Sequence, residues 1–397
     1  MDPISLLAAL ATAFGIMSAD AVMHADSVNV SLYVPDDIAK TTARGDVMED
    51  MFISKMQEIS DVKSYFGRPN VQSNRARTLG VVLARALKVE DFAAAVQHTF
   101  GMKTASVLGS FSKDDKEGKI QLVAMVRDPD EPPFPLVIKR GDGEPITNMV
   151  GRAAQEVMEH LAPYITTLYL LQKGDESHDY TQVDDLIGRE LVAYASKSHA
   201  KERASILNVA GIVALHKGNL PEAARLFEES DKADPDLLIP RVNRAFVMLA
   251  TDHETEVESY LKPTIDAARY QRAYMLLAAA DLIRAGAHMS ARKFDLAEAA
   301  LDDAEYWDPT SSVVPALRAE VKQERGDVVG AMKYKAKASA NLDNFETFPE
   351  LAGLYYHISW RKGEPLRRNE LKQEMARAIL TSSSLAAKPA AEAQKTK

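Results

Sequence analysis

Residues 208–237 read NVAGIVALHKGNLPEAARLFEESDKADPDL. The stretch holds two helical patterns around a Lys217-Gly218-Asn219 turn and ends on Asp234-Pro235. Gly211 falls where the first helix must let the second approach closely, and a large side chain there would push the pair apart. Ala223 fills the matching position on the second helix. Phe227, one turn later, points between the helices. Pro235 ends the second helix, because it lacks an N–H and restricts the residue before it. These residue types are explained by helix packing, and the stretch carries no catalytic grouping.

Working outward, the same register returns at a period near 34 residues, the spacing at which repeat architectures should be sought. With a first repeat starting at Ala204, a start at Ala278 puts Ala285, Ala297, Ala304 and Pro309 in the equivalent places. A start at Ser312 gives Ala319, the turn Gly326-Asp327, Ala331 and Ala338. A start at Glu346 gives Gly353 and Tyr356, with a poorer second helix. Residues 238–277 read as a divergent repeat with a six-residue insertion and Ala245 in the small position. Residues 163–196 form a further candidate helical pair.

The small, large and proline pattern of residues 204–237, 278–311 and 312–345 resembles the tetratricopeptide repeat (TPR) family over roughly the C-terminal half of the chain. The resemblance implies an α-solenoid whose first helices line a concave groove, a surface that binds peptides or proteins and rarely does chemistry. Groove positions are then Asn208 and Ile212, with Leu282 and Gly286, then Ala316 and Glu320, as their equivalents. Leu215 and His216 are also left over once packing within the pair is satisfied. His357 falls on a later first helix. The Lys, Arg and Asn pattern by which one peptide-binding subset clamps a terminal carboxylate is not kept. The groove so read is apolar with a few polar handles, which suits an amphipathic helix or an extended apolar segment. The alternative is that these residues pack against the next repeat or the N-terminal domain.

The chain has 397 residues, 46% apolar and 26% charged, with a net charge of −9. That is a globular composition of two to three domains. It lacks the basic face that displaces counterions from nucleic acid. There is no cysteine, which excludes disulfides, thiolate catalysis and Cys-based metal sites. Residues 1–26 form a hydrophobic signal or anchor segment. It is apolar from Ile4 to Met17, with possible membrane association through residues 4–23. A basic n-region is missing and Asp20 interrupts the run. The expected location is therefore membrane-anchored or extracytoplasmic, with a cytoplasmic chain carrying a buried helix as the alternative.

Residues 27–162 read as a small α+β domain. Val28, Val30, Leu32 and Val34 alternate in a strand, and 45–60 carries Val47, Met48, Met51, Phe52, Met56 and Ile59 at helical spacing. A second helical stretch is expected from about 75 to 98. Strand patterns follow at 102–112, 120–128 and 134–140, separated by polar turns. The helix 146–161 should then cover one face of the sheet. Helical repeats are expected over 163–380 and a disordered tail over 381–397. The aromatic run 354–360 suits a cap on the last helix face.

No metal-ligand spacing, phosphate loop or nucleophile motif is present in the sequence. Catalytic, cofactor and metal residues are therefore all expected to be none. The fold class expected is mainly α: a TPR solenoid preceded by the α/β domain and the hydrophobic segment. The function expected is a non-enzymatic scaffold that recruits a protein or peptide partner through Asn208, Ile212, Leu215, His216, Leu282, Glu320 and His357. The alternative is a ligand-binding or sensor module at 27–162 coupled to the repeats.

Overall fold

The computed structural model describes residues 27–40, 45–62, 64, 70–73, 105–114, 118–128, 132–341 and 349–351. The expectations for residues 1–26, 75–98, 354–360 and the tail lie outside them, as does His357. Among the described residues the chain is mainly helical, with one small sheet toward its N-terminus. Two compact units divide between Thr166 and Thr167, with Ser64 grouped in the second.

In the first unit, β1 (Ser27–Tyr33), β2 (Asn70–Ser73), β3 (Ala105–Lys113), β4 (Ile120–Arg127) and β5 (Phe134–Lys139) form a sheet in the order β2-β1-β3-β4-β5. β1 pairs in parallel with both β2 and β3, and β3, β4 and β5 pair antiparallel. Parallel neighbours require a crossover between them. The chain between β1 and β2 carries α1 (Asp36–Ala39) and α2 (Gly45–Ser60).

Alternation decides the buried face. Val30, Val107, Leu122, Val126 and Ile138 point inward, as does Phe111, while Tyr33, Leu108, Val123 and Val137 are exposed. Met48, Phe52, Met56 and Ile59 of α2 supply one part of the core. The other comes from Met149, Val150, Ala153, Ala154, Val157 and Met158 of α3 (Ile146–Leu161), which packs on α2 and β5. Val47 is the exception to the expected α2 stripe: it sits in the first turn and is exposed. The carboxylate of Glu49 is buried and accepts from the Leu32 N–H at 3.0 Å, tying α2 to β1.

In the second unit successive helices pack on one another from Thr181–Ala193 onward. Its helices are α4 (Pro163–Ser177), which begins in the first unit, α5 (Thr181–Ala193), α6 (Ala200–His216), α7 (Leu220–Ala233), α8 (Ile239–Ala250), α9 (Glu254–Gln271), α10 (Tyr274–Ser290), α11 (Phe294–Trp307), α12 (Val313–Glu324) and α13 (Val328–Ala340). The pairs α6–α7, α8–α9, α10–α11 and α12–α13 close through one recurring turn. Each places a residue in the left-handed region: Gly218, Asp252, Arg292 and Gly326. In each, the next N–H returns to a carbonyl five residues back: Asn219 to Ala214, His253 to Met248, Lys293 to His288 and Asp327 to Lys322. Successive left-handed residues are spaced by 34, 40 and 34 residues. The insertion expected in 238–277 therefore lies between the second and third turns, where α9, at 18 residues, is longer than α7 or α11, each at 14.

Small residues sit at the helix crossings. Ala223, Ala245, Ala285, Ala297, Ala304 and Ala338 are fully buried. A Cβ on Gly211 would lie 2.4 Å from Phe227 Cε1, so α6 and α7 approach closely only because position 211 has no side chain. Asn219 and Asp327 cap α7 and α13 by accepting from the Glu222 and Gly330 N–H groups.

Candidate functional site

The first helices of successive pairs also meet one another. A Cβ on Gly286 of α10 would lie 2.9 Å from Leu249 of α8. Between α6 and α8 the meeting is polar. Asn208 is 2% exposed and Asn243 fully buried, and Asn243 Nδ2 donates to Asn208 Oδ1 at 2.8 Å.

Both amides also donate to one main-chain carbonyl, that of Glu350, at 3.2 Å from Asn208 Nδ2 and 2.7 Å from Asn243 Nδ2. The acceptor is 142 and 107 residues away in sequence. Glu350 and Leu351 are each 0% exposed, and Pro349 beside them is buried. The Glu350 carboxylate accepts from the Ser64 hydroxyl at 3.1 Å, and Ser64 belongs to the same unit. The geometry fixes the amide orientations. Turning Asn243 over would point an oxygen at the Glu350 carbonyl and remove the donor to Asn208. Two bonds thus hold a short non-helical segment against α6 and α8, and a third ties it to Ser64.

A second buried polar group lies where α4, α5 and α6 meet. Asp175 Oδ1 lies 2.6 Å from His216 Nδ1 and accepts from the Tyr180 hydroxyl at 2.8 Å. All three residues are buried, and the Tyr180 ring stands edge-on to the imidazole. The set ties α4 to the end of α6.

A third cluster joins α9 and α10. Arg284 bonds Asp281 at 2.7 Å and Glu258 at 2.9 Å, and His288 Nε2 lies 3.2 Å from Glu258. Burial pushes the Asp281 carboxyl above its ordinary value, with Arg284 opposing. Burial also lowers His288, with Glu258 opposing. At Glu258 burial acts upward, but the Arg284 guanidinium outweighs it and the net shift is downward.

The structure places the expected partner-binding residues mostly inside. Asn208, Ile212, Leu215, His216 and Leu282 are buried, and Glu320 is half-buried on α12. Asn208 joins Asn243 and the Glu350 carbonyl, while His216 turns to Asp175. Asn243, Asp175 and Glu350 were not singled out from the sequence. A signal for Asn208 exists: within Ile206–Leu215 it is the one polar residue in an otherwise apolar helix.

Among the described residues, no group of three or more metal-ligating side chains is gathered, and no helix is long and apolar enough to cross a membrane. No protein-family model and no curated protein matches the chain.

Proposed function

We propose that the protein is a non-enzymatic binding scaffold, and that its helical unit is a TPR-like solenoid holding an extended segment of a protein partner against α6 and α8. The single observation that carries this reading is the convergence of Asn208 and Asn243 on one main-chain carbonyl. A main-chain carbonyl is present in every peptide, so paired amides can grip a segment without dictating its side chains. The repeated turns and the 34-residue spacing support the repeat reading. Tethering or export through residues 4–23 belongs to the same proposal.

Affinity purification of the full chain from native membrane and soluble fractions, with mass spectrometry, tests it. The comparison is Asn208→Ala/Asn243→Ala, whose helical content and unfolding midpoint are measured alongside. The reading predicts proteins captured by the wild type and lost from a folded double variant. An unchanged set of captured proteins would contradict it. Ile212→Asp is unsuitable as a probe, because Ile212 is fully buried and a charge there unfolds the helix pair.

A further inference from the structure

The segment that occupies the amide cradle belongs to the chain itself. Pro349-Glu350-Leu351 is buried, and its central carbonyl takes a hydrogen bond from each asparagine. The contact is made to the backbone, by side chains far away in sequence, and the flanking Glu and Leu side chains are withdrawn from solvent. An asparagine pair serving only as helix-to-helix glue needs just the Asn208–Asn243 bond. The remaining donors go to an outside strand of chain.

We propose that Pro349–Leu351 is a built-in competitor: it closes the cradle in cis, and the partner is an extended peptide of the same chemistry, proline–acid–aliphatic, that displaces it. This inference rests on the reading of the helical unit as a protein-binding repeat. Gating follows from mass action. A site open in only a fraction of molecules binds with an affinity reduced by that fraction. The acid and the aliphatic residue supply selectivity, because Glu350 and Leu351 are fully enclosed and a partner lacking them would leave that space unfilled or its polar lining unpaired. The carbonyl contact supplies a grip common to all such peptides.

The probe is a fluorescent nonapeptide with the sequence of residues 346–354, ETFPELAGL. Its anisotropy is titrated against the full-length wild type, Leu351→Asp, and Leu351→Asp with Asn208→Ala and Asn243→Ala. Asp at a fully enclosed leucine expels the cis segment. Binding to Leu351→Asp should be tighter than to the wild type by about tenfold or more. Adding the two alanines should abolish the gain. Equal affinity for wild type and Leu351→Asp would overturn the gating and leave the binding reading standing. No binding to either protein would overturn both. Light scattering on the wild type separates a third outcome: a dimer that dissociates in Leu351→Asp would place the segment in a second copy and overturn closure in cis. If Leu351→Asp fails to fold by circular dichroism, Leu351→Ala carries the same comparison with a smaller expected gain.

Discussion

Gly211→Ala adds one methyl group at the closest approach of α6 and α7. An ideal Cβ there lies 2.4 Å from Phe227 Cε1, 2.6 Å from Cδ1 and 3.0 Å from Cζ, where ordinary contact begins at 3.4 Å. Two effects oppose one another. Ala is favoured over Gly inside a helix by about 0.8–1 kcal/mol. Phe227 is fully buried and has nowhere free to go, and overpacking of this kind costs about 1–3 kcal/mol. The clash involves three ring atoms well inside contact distance, so the second effect wins, and a net loss of about 1–2 kcal/mol is expected. Urea unfolding of the full chain measures it as a lower midpoint at unchanged slope. Phe227→Leu removes Cε1 and Cζ. In that background Gly211→Ala should cost at least about 1 kcal/mol less, a coupling that only neighbours show. If Gly211→Ala stabilises the wild type by the full helix-propensity gain, the packing argument is wrong.

Asn243→Leu removes the donor to Asn208 Oδ1 and one of two donors to the Glu350 carbonyl. The expected loss is about 2–3 kcal/mol in chemical unfolding, from polar groups left buried and unpaired. Tyr180→Phe should cost about 1–3 kcal/mol by the same assay, since the Asp175 carboxylate loses a hydroxyl donor in a buried setting. His288 has its folded-state value lowered by burial from an ordinary 6.5. Its contribution is therefore present above pH 6.5 and is lost as pH falls through the lowered value. His288→Gln should flatten that part of the stability–pH curve. The fall below pH 4.5 should remain, because Lys337 and Arg318 hold Glu305 low, as Arg284 holds Glu258 low against burial. A wild-type curve already flat between pH 6.5 and 4.5 would refute the assignment.

Much of the local structure was legible in the residues. The helices 45–60 and 146–161 end where their apolar spacing ends, and β4 and β5 follow period-two alternation closely. β2 was not legible. Asn70–Ser73 is four residues with little apolar content, and its parallel pairing to β1 depends on a distant partner. Inside the repeats, Gly211, Ala223 and Phe227 stand where their sizes predicted. What was not drawn from the sequence was the apolarity, Asn208 apart, of the stretch Ile206–Leu215 in α6. A helix apolar on every side is covered on every side, so Ile212 and Leu215 face protein instead of open water. The covering segment, Pro349–Leu351, could not be foreseen, because a main-chain carbonyl leaves no mark in an amino-acid sequence.

The most direct measurement is a crystal structure of full-length Leu351→Asp with the ETFPELAGL peptide bound. The account predicts the carbonyl of the peptide's glutamate within about 3 Å of both Asn208 Nδ2 and Asn243 Nδ2. A peptide seated elsewhere, with the two asparagines bonded only to each other, would contradict it.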